Sequence, residues 1–141
     1  MELNDIVSVS GKGGLWKILK PTRTGVILES LDDKKNKLVA TGNHRVSSLG
    51  EISIYTMDEE GSKPLQDIFI KIFQEFADDT GIEKDASSEE YKGFLKHILP
   101  DYDEERVYVS DIKRLVNWYN ILLERAPELL KEESKDKEQD E

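Results

Sequence analysis

The first chemically suggestive stretch is Gly11–Gly14 (GKGG), which combines glycines with a lysine as phosphate-binding loops do. A Walker loop needs two glycines five positions apart, a lysine, and then Ser or Thr at the start of a helix. This stretch has no hydroxyl residue after Lys12, and the residues that follow it predict a strand. We therefore interpret Gly11–Gly14 as a flexible β-turn whose lysine can still contact a phosphate.

An acidic stretch at Asp101–Glu105 resembles the start of a calcium-binding loop. An EF-hand loop also needs Gly at its sixth position and Glu at its twelfth. This chain has Arg106 and Ile112 there. His97 is nearby, but Pro100 separates it from the stretch and no second histidine is close. Since neither ligand set matches a known metal motif, we interpret the stretch as a solvated connection between helices and predict no metal site.

The chain offers little for catalysis. It has no cysteine, which excludes disulfides, thiolate metal ligands and cysteine nucleophiles. Its two histidines, His44 and His97, are not accompanied by a Gly-x-Ser-x-Gly nucleophile elbow. The 30 Asp and Glu residues make the chain acidic, but their abundance alone identifies no general acid. The sequence therefore predicts a protein that is not an enzyme and has no cofactor.

Composition predicts a cytoplasmic protein with two differently charged parts. No apolar run approaches the roughly 18 residues that a membrane span needs. The start of the chain lacks the basic and apolar pattern of a signal peptide. The net charge of -10 is uneven: residues 1–56 have eight Lys and Arg against six Asp and Glu, whereas residues 57–141 have 12 against 24. This contrast suggests that the two parts have different partners.

The front of the chain is organised around residues 13–31, where a Pro/Thr/Gly turn joins two short apolar runs. Trp16 and Ile18 alternate with Lys17, which is the period of a half-buried strand, so this stretch predicts a β-hairpin. Further short runs predict strands at 6–9, 38–41 and 52–55. So few residues cannot form a large sandwich. We predict a small, strongly bent SH3-like β-barrel over residues 1–57, because closure removes exposed strand edges.

After residue 61 the apolar period changes from two to 3.6, which predicts a three-helix unit at 62–130. The stripe of the first helix consists of Leu65, Ile68, Phe69, Ile72, Phe73 and Phe76. Ser62 is a candidate N-cap for this helix, and Ser87 with Glu90 forms a capping-box pattern before the second helix. A third helix is predicted to begin near Ser110.

From Lys131 onward every residue is charged or polar. Such a segment cannot bury enough apolar surface to offset its ordering entropy, so residues 131–141 are predicted to be a disordered acidic tail. The predicted fold class is therefore α+β: a small SH3-like barrel, a three-helix unit and this tail.

The basic residues of the front part lead to a binding hypothesis. On a small barrel, loop cations and an exposed ring can hold single-stranded RNA or another polyanion through phosphate contact and base stacking. The candidate nucleic-acid-binding residues are Lys12, Trp16, Lys17, Lys20, Arg23, Lys35 and Arg45. In the alternative, Trp16 belongs to the core and the lysines only solubilise the protein, since known binders have a denser basic footprint. The acidic helical part would also oppose a polyanion unless it faces away.

Trp118 leads to a competing hypothesis, a protein-interaction or self-assembly module without nucleic-acid binding. It falls off the main apolar stripe of the third helix, next to Tyr119. It either widens the core face of that helix or forms a docking patch for a protein partner or a second copy of the chain.

Four stretches of the chain together resemble an uncharacterised family of small proteins from Bacteroidetes. They are SGKGGL at 10–15, TRTGVILESL at 22–31, EISIY at 51–55 and PDYDEERVYVSDIK at 100–113. The similarity covers most of residues 3–125 and does not extend into the tail. The resemblance implies an SH3-like front domain, a helical back domain and a nucleic-acid-binding role, and it carries over no functional residue.

Overall fold

The computed structural model describes residues 1–131 of the chain. They form two compact units, Met1–Ile52 and the chain from Ser53 onward. The predicted α+β class is confirmed, because the first unit consists of antiparallel strands and the second contains three helices with a small hairpin. The tail predicted at 131–141 lies, beyond Lys131, outside the described residues.

Five antiparallel strands form the sheet of the first unit. They are β1 (Ile6–Val9), β2 (Lys12–Pro21), β3 (Gly25–Ser30), β4 (Lys37–Thr41) and β5 (Val46–Ser48). The predicted hairpin is confirmed, with Trp16 opposite Ser30 and Lys17 opposite Glu29. The strand order is β4-β3-β2-β1-β5. Because β4 and β5 are the two edges and do not pair with each other in the described chain, the sheet is open, and the prediction of a closed barrel is wrong.

One face of this sheet carries the core of the first unit. Its buried side chains are Val7, Val9, Trp16, Leu28 and Ala40. Leu15 is buried as well as Trp16, although consecutive strand residues point to opposite faces. Two 3-10 turns, Leu3–Asp5 and Leu49–Glu51, pack together and add the buried Leu3 and Leu49. Both faces of β2 are therefore covered next to Trp16, which a simple two-residue period does not predict.

The second unit contains a short hairpin and three helices. Its elements are β6 (Ser53–Tyr55), β7 (Ser62–Pro64), α1 (Leu65–Phe76), α2 (Ser88–Ile98), α3 (Val109–Arg125) and a final 3-10 turn at Pro127–Leu130. The three predicted helices are confirmed, and each buries its apolar stripe. The capping box is also confirmed: Ser87 Oγ accepts from Glu90 N at 3.2 Å, and Glu90 Oε1 accepts from Ser87 N at 2.8 Å.

Two local features of the second unit differ from the predictions. The strand predicted at 52–55 forms, but its partner is β7 of the second unit, with Tyr55 opposite Ser62. Ser62 therefore lies in a strand and does not cap α1, which follows Pro64 directly. A proline suits that position, because the backbone N–H groups at the start of a helix lack partners and proline has none to satisfy.

Tyr119 links α3 to the end of α1. Its side chain is buried, and its hydroxyl donates to the carbonyl oxygen of Ala77 at 2.6 Å. Burial raises the pKa of Tyr119 to about 12, and the nearby charge of Asp78 acts in the same direction. The phenol therefore stays protonated well above the ordinary tyrosine pKa of about 10.

We expect Tyr119→Phe to lower the free energy of unfolding by about 1 kcal/mol, because it removes this hydrogen bond. Since the folded pKa of Tyr119 lies above its unfolded value, the contribution is complete below about pH 10 and is lost as the pH rises through the folded pKa. The difference in Tm between the wild type and Tyr119→Phe, measured by circular dichroism, should therefore shrink above about pH 10. A difference that stays constant through that range would contradict the burial of the phenol.

Candidate functional site

Lys17 of β2 lies on the face of the sheet opposite Trp16. Lys17 directly follows Trp16, so its side chain projects to the other face, where it lies opposite Glu29 of β3. Glu29 in turn lies opposite Lys37 of β4, and Lys37 Nζ is 3.0 Å from Glu29 Oε2. The hydrogen bond from Lys37 holds the pKa of Glu29 below its ordinary value, with further contributions from the charges of Lys37, Lys35 and Lys17.

A β-bulge brings Lys20 onto the same face. Lys17 and Lys20 are three residues apart and would point to opposite faces of a regular strand. The register between β2 and β3 shifts just before Lys20, so that Lys20 lies opposite Ile27, which shares its face with Glu29. We call Lys17, Lys20 and Lys37 the lysine face.

The remaining predicted cations lie in turns or at the start of a strand. Arg23 is exposed in the turn that joins β2 to β3. Lys12 begins β2 directly after the turn at 10–11, in which Gly11 has a φ of 85°. Gly13 and Gly14 lie within β2, so only the first residue of the predicted Gly11–Gly14 turn belongs to a turn, and the stretch does not lead into a helix. Lys35, at φ 51°, lies in the turn between β3 and β4, and Arg45 is exposed just before β5. The structure thus separates Lys12, at the start of β2, from Lys35 and Arg45, which lie in two different connections between strands.

Trp16 does not supply the exposed ring that base stacking requires. Only 9% of it is exposed, and it belongs to the core cluster with Val7 and Leu28. Its indole Nε1 is buried without a hydrogen-bond partner among the described residues. The structure corrects the predicted role of Trp16, because the strand alternation that directs the half-buried Lys17 to the other face directs Trp16 into the core.

Most positive charges of the first unit have no direct ionic partner among residues 1–131. Residues 1–52 contain eight Lys and Arg, and within the described part of the chain only Lys37 among them forms an ion pair. The carboxylate of Asp32 instead accepts hydrogen bonds from the Ser30 hydroxyl and from the backbone N–H groups of Lys34 and Lys35. These bonds, that of Ser30 first, lower the pKa of Asp32. The lysine face and the nearby turns therefore have positive charge available to an anion.

Trp118 of the second unit is also buried, with 9% exposed. It lies three residues after Leu115 and four before Leu122, which places all three buried side chains on one side of α3. Trp118 therefore widens the core face of the helix, and the predicted docking patch at this residue is corrected. The exposed large apolar side chains of the second unit are Tyr55, Met57 and Tyr108.

The residues considered as metal ligands make other contacts. His97 Nε2 lies 2.8 Å from Glu75 Oε1, and the imidazole packs edge-on against Phe76. Asp103, in the acidic stretch, accepts the backbone N–H of Glu105 at 3.0 Å. No group of three or more His, Asp or Glu side chains in residues 1–131 is placed to hold a metal ion. No helix in the same range has the length and apolar character to cross a membrane.

Comparisons with known proteins cover both units. A family model described as a domain of unknown function (DUF5606) matches residues 3–49, and another described as a domain of unknown function (DUF6852) matches residues 52–122. The chain belongs to the DUF6852 family. A solution NMR structure from Bacteroides vulgatus is similar to this DUF6852 member, with 31% sequence identity and a TM-score of 0.68 over 89% of this chain and 88% of that one. No curated protein matches the chain.

The two family matches meet where the DUF6852 member divides into its compact units. The first match ends at residue 49 and the second begins at 52, beside the division after Ile52. The predicted resemblance to an uncharacterised family with relatives in Bacteroidetes is confirmed by these matches and by the Bacteroides structure. Neither family description names a ligand or a reaction, so a function has to rest on the surfaces described above.

Proposed function

We propose that this DUF6852 member is a non-catalytic, cytoplasmic binding protein whose first unit binds RNA or another polyanion. The observation that carries the proposal is the lysine face, which has three ammonium groups on one side of a short sheet. Only one of them, that of Lys37, forms an ion pair within the described residues. Such a face contacts phosphates and does not select bases, because Trp16, the only Phe, Trp or Tyr in residues 1–52, is buried.

We further propose that the first unit is an SH3-like small barrel that is open along one side. In its support, β1 pairs with β2 on one side and with β5, the last strand, on the other. This adjacency of the first and last strands favours a rolled sheet over a flat one. The register shifts along β2 are bulges of the kind that bend strands around a small barrel.

Binding of this kind is expected to be modest and strongly dependent on salt. About four phosphate contacts, from the lysine face and Arg23, give a slope of about −3 in log K against log salt for a single strand. The affinity should then fall roughly 50-fold between about 50 and 200 mM salt. Glu29 within the face and the net charge of -10 both oppose tight binding to a polyanion.

Fluorescence anisotropy of a labelled random single-stranded RNA pool, titrated with the full chain at about 50 and 200 mM salt, tests this proposal. Lys17→Glu and Arg23→Glu should each weaken binding and reduce the salt slope by about 1. Lys71→Glu, at an exposed lysine of α1, changes the net charge equally and should leave binding nearly unchanged. Absence of binding at low salt, or equal losses in all three variants, would refute the proposal.

A second candidate is a protein-interaction or self-assembly module that does not bind nucleic acid. The exposed Tyr55, Met57 and Tyr108 favour this candidate. Association with a protein that Lys17→Glu leaves unaffected would support it over RNA binding. Trp118→Ala is not a selective test of this candidate, because removal of a buried ring destabilises the fold itself.

A further inference from the structure

A group of apolar side chains is exposed on the second unit. Tyr55, Met57 and Tyr108 are 50%, 71% and 66% exposed. Single exposed apolar residues are common, whereas several in one region mark an interaction site. These three residues mark one such site only if the fold brings their side chains close together.

A short strand contact fixes the direction of Tyr55 and Met57. Thr56, between them, forms an antiparallel bridge with Tyr102, and backbone hydrogen bonds of 2.7 and 2.9 Å flank the bridge. Thr56 and Tyr102 are both buried. Because neighbouring residues of an extended segment point in opposite directions, Tyr55 and Met57 project together into solvent.

Arg106 and Tyr108 extend this group from the loop before α3. Arg106 Cζ lies 5.0 Å from the centre of the Tyr55 ring, and Arg106 Nε lies 3.6 Å from Asp103 Oδ2. Tyr108 follows two residues later, so its Cα lies within roughly 7 Å of the Arg106 Cα. We call Tyr55, Met57, Arg106 and Tyr108 the tyrosine surface.

Carboxylates flank the tyrosine surface. Those within three residues of one of its members are Asp58, Glu59, Glu60, Asp103, Glu104, Glu105 and Asp111. Among the described residues three of them form ion pairs: Glu104 with Lys96, Asp103 with Arg106 and Asp111 with Arg114. The Thr56 hydroxyl, followed by the backbone N–H of Gly61, lowers the pKa of Asp58. The other four, Asp58, Glu59, Glu60 and Glu105, have no ion pair within residues 1–131, so the tyrosine surface is bordered by unpaired negative charge.

We propose that the tyrosine surface binds a basic segment of a partner protein, one that combines Lys or Arg with an apolar side chain. Tyr, Met and Arg are enriched at protein interfaces, and Tyr and Arg at their energetic centres. The unpaired carboxylates attract basic side chains and steer the approach of such a segment.

The same carboxylates disfavour two other ligands of the tyrosine surface, a second copy of the chain and RNA. A second copy that docked through the same surface would bring two acidic borders together, and RNA would be repelled. A basic protein segment satisfies both the apolar centre and the acidic border. This inference does not depend on RNA binding by the first unit.

Selection of a displayed library of random dodecapeptides on the full chain tests the proposal. Selected peptides should have a net positive charge and at least one aromatic or aliphatic residue, and should bind with micromolar Kd in fluorescence anisotropy. Tyr55→Ser and Tyr108→Ser should each weaken that binding about tenfold or more, since hot-spot side chains dominate an interface. Tyr55→Phe should retain most of it. Val39→Ser, at an exposed apolar residue of the first unit, is the matched control and should leave Kd unchanged.

Circular dichroism establishes that each variant is folded, as expected for substitutions of exposed side chains. The proposal is overturned if no peptide is selected, if the selected peptides are acidic or neutral, or if Tyr55→Ser binds them as well as the wild type. Sedimentation velocity tests for self-association. If the wild type is a dimer and Tyr55→Ser is a monomer, a second copy covers the tyrosine surface, and this result would also overturn the proposal. A failure of the first unit to bind RNA would not affect this test, because the test uses residues of the second unit and a peptide as the probe.

Discussion

Gly25→Ala is expected to lower the free energy of unfolding of the first unit by about 3 kcal/mol, the upper part of the usual range for overpacking. Gly25 begins β3 and lies opposite Thr41 of β4. A Cβ at Gly25 would press on the carbonyl oxygen of Ala40 and lie 2.9 Å from its carbonyl carbon and 3.1 Å from Thr41 Cα. All three atoms belong to the backbone and cannot turn aside as a side chain would. The pairing of β3 with β4 must therefore loosen.

Amide hydrogen exchange across β3 and β4, together with thermal unfolding, measures this loss. Gly42→Ala is the matched control, because a Cβ at Gly42 meets no atom within 4 Å. That substitution should change the free energy of unfolding by less than about 0.5 kcal/mol. Equal stability of the two variants would contradict the close approach of β4 to Gly25.

Elements with a strong local pattern could be predicted from the sequence. The apolar residues of the α1 stripe recur every three or four positions, and the capping box of α2 joins two residues three positions apart. Both patterns are therefore visible within about one turn of helix. The hairpin of β2 and β3 is also local, because a short turn at 22–24 joins two runs that become direct partners. These elements formed where the sequence predicted them.

Features that depend on distant pairing could not be predicted in the same way. β5 and β7 have three residues each, and they become strands only through pairing with β1 and β6. The bulge that moves Lys20 to the lysine face is a property of the β2–β3 register, which a single strand does not reveal. Closure of the sheet likewise depends on the two edge strands meeting, and no residue of either strand signals whether they do.

The candidate surfaces were predicted only in part. Lys17 and Trp16 were placed on opposite faces by their alternation, but the face that forms the core depends on packing against other strands. Met57 and Tyr108 were missed, because residues in turns have no period. The exposure of Met57 depends on the bridge between Thr56 and Tyr102, which lie far apart in the sequence. The one local signal was Tyr108 itself, a large ring placed just before the predicted start of a helix.

Trp16→Ala is expected to lower the free energy of unfolding by about 3–5 kcal/mol, because it opens a cavity in the core of the first unit. Trp16 packs there with Val7, Leu28 and Ala40. Trp16→Phe should lower it by less than about 1.5 kcal/mol, since it keeps most of the apolar volume. It also removes an indole N–H that has no hydrogen-bond partner among the described residues. Urea unfolding of the three proteins, followed by far-UV circular dichroism, measures both differences.

Trp16→Phe also distinguishes the two roles that this residue could have in binding. A buried ring acts through the fold, so a folded Trp16→Phe protein should bind RNA as the wild type does. If Trp16 instead left the core to stack on a base, the smaller phenyl ring would weaken binding. A folded Trp16→Phe variant with much lower RNA affinity would therefore contradict the assignment of binding to the lysine face. Because Trp16 and Lys17 project from opposite sides of one strand, Lys17→Glu should lower affinity, with a smaller loss of stability than Trp16→Ala causes, and Trp16→Phe should leave affinity unchanged.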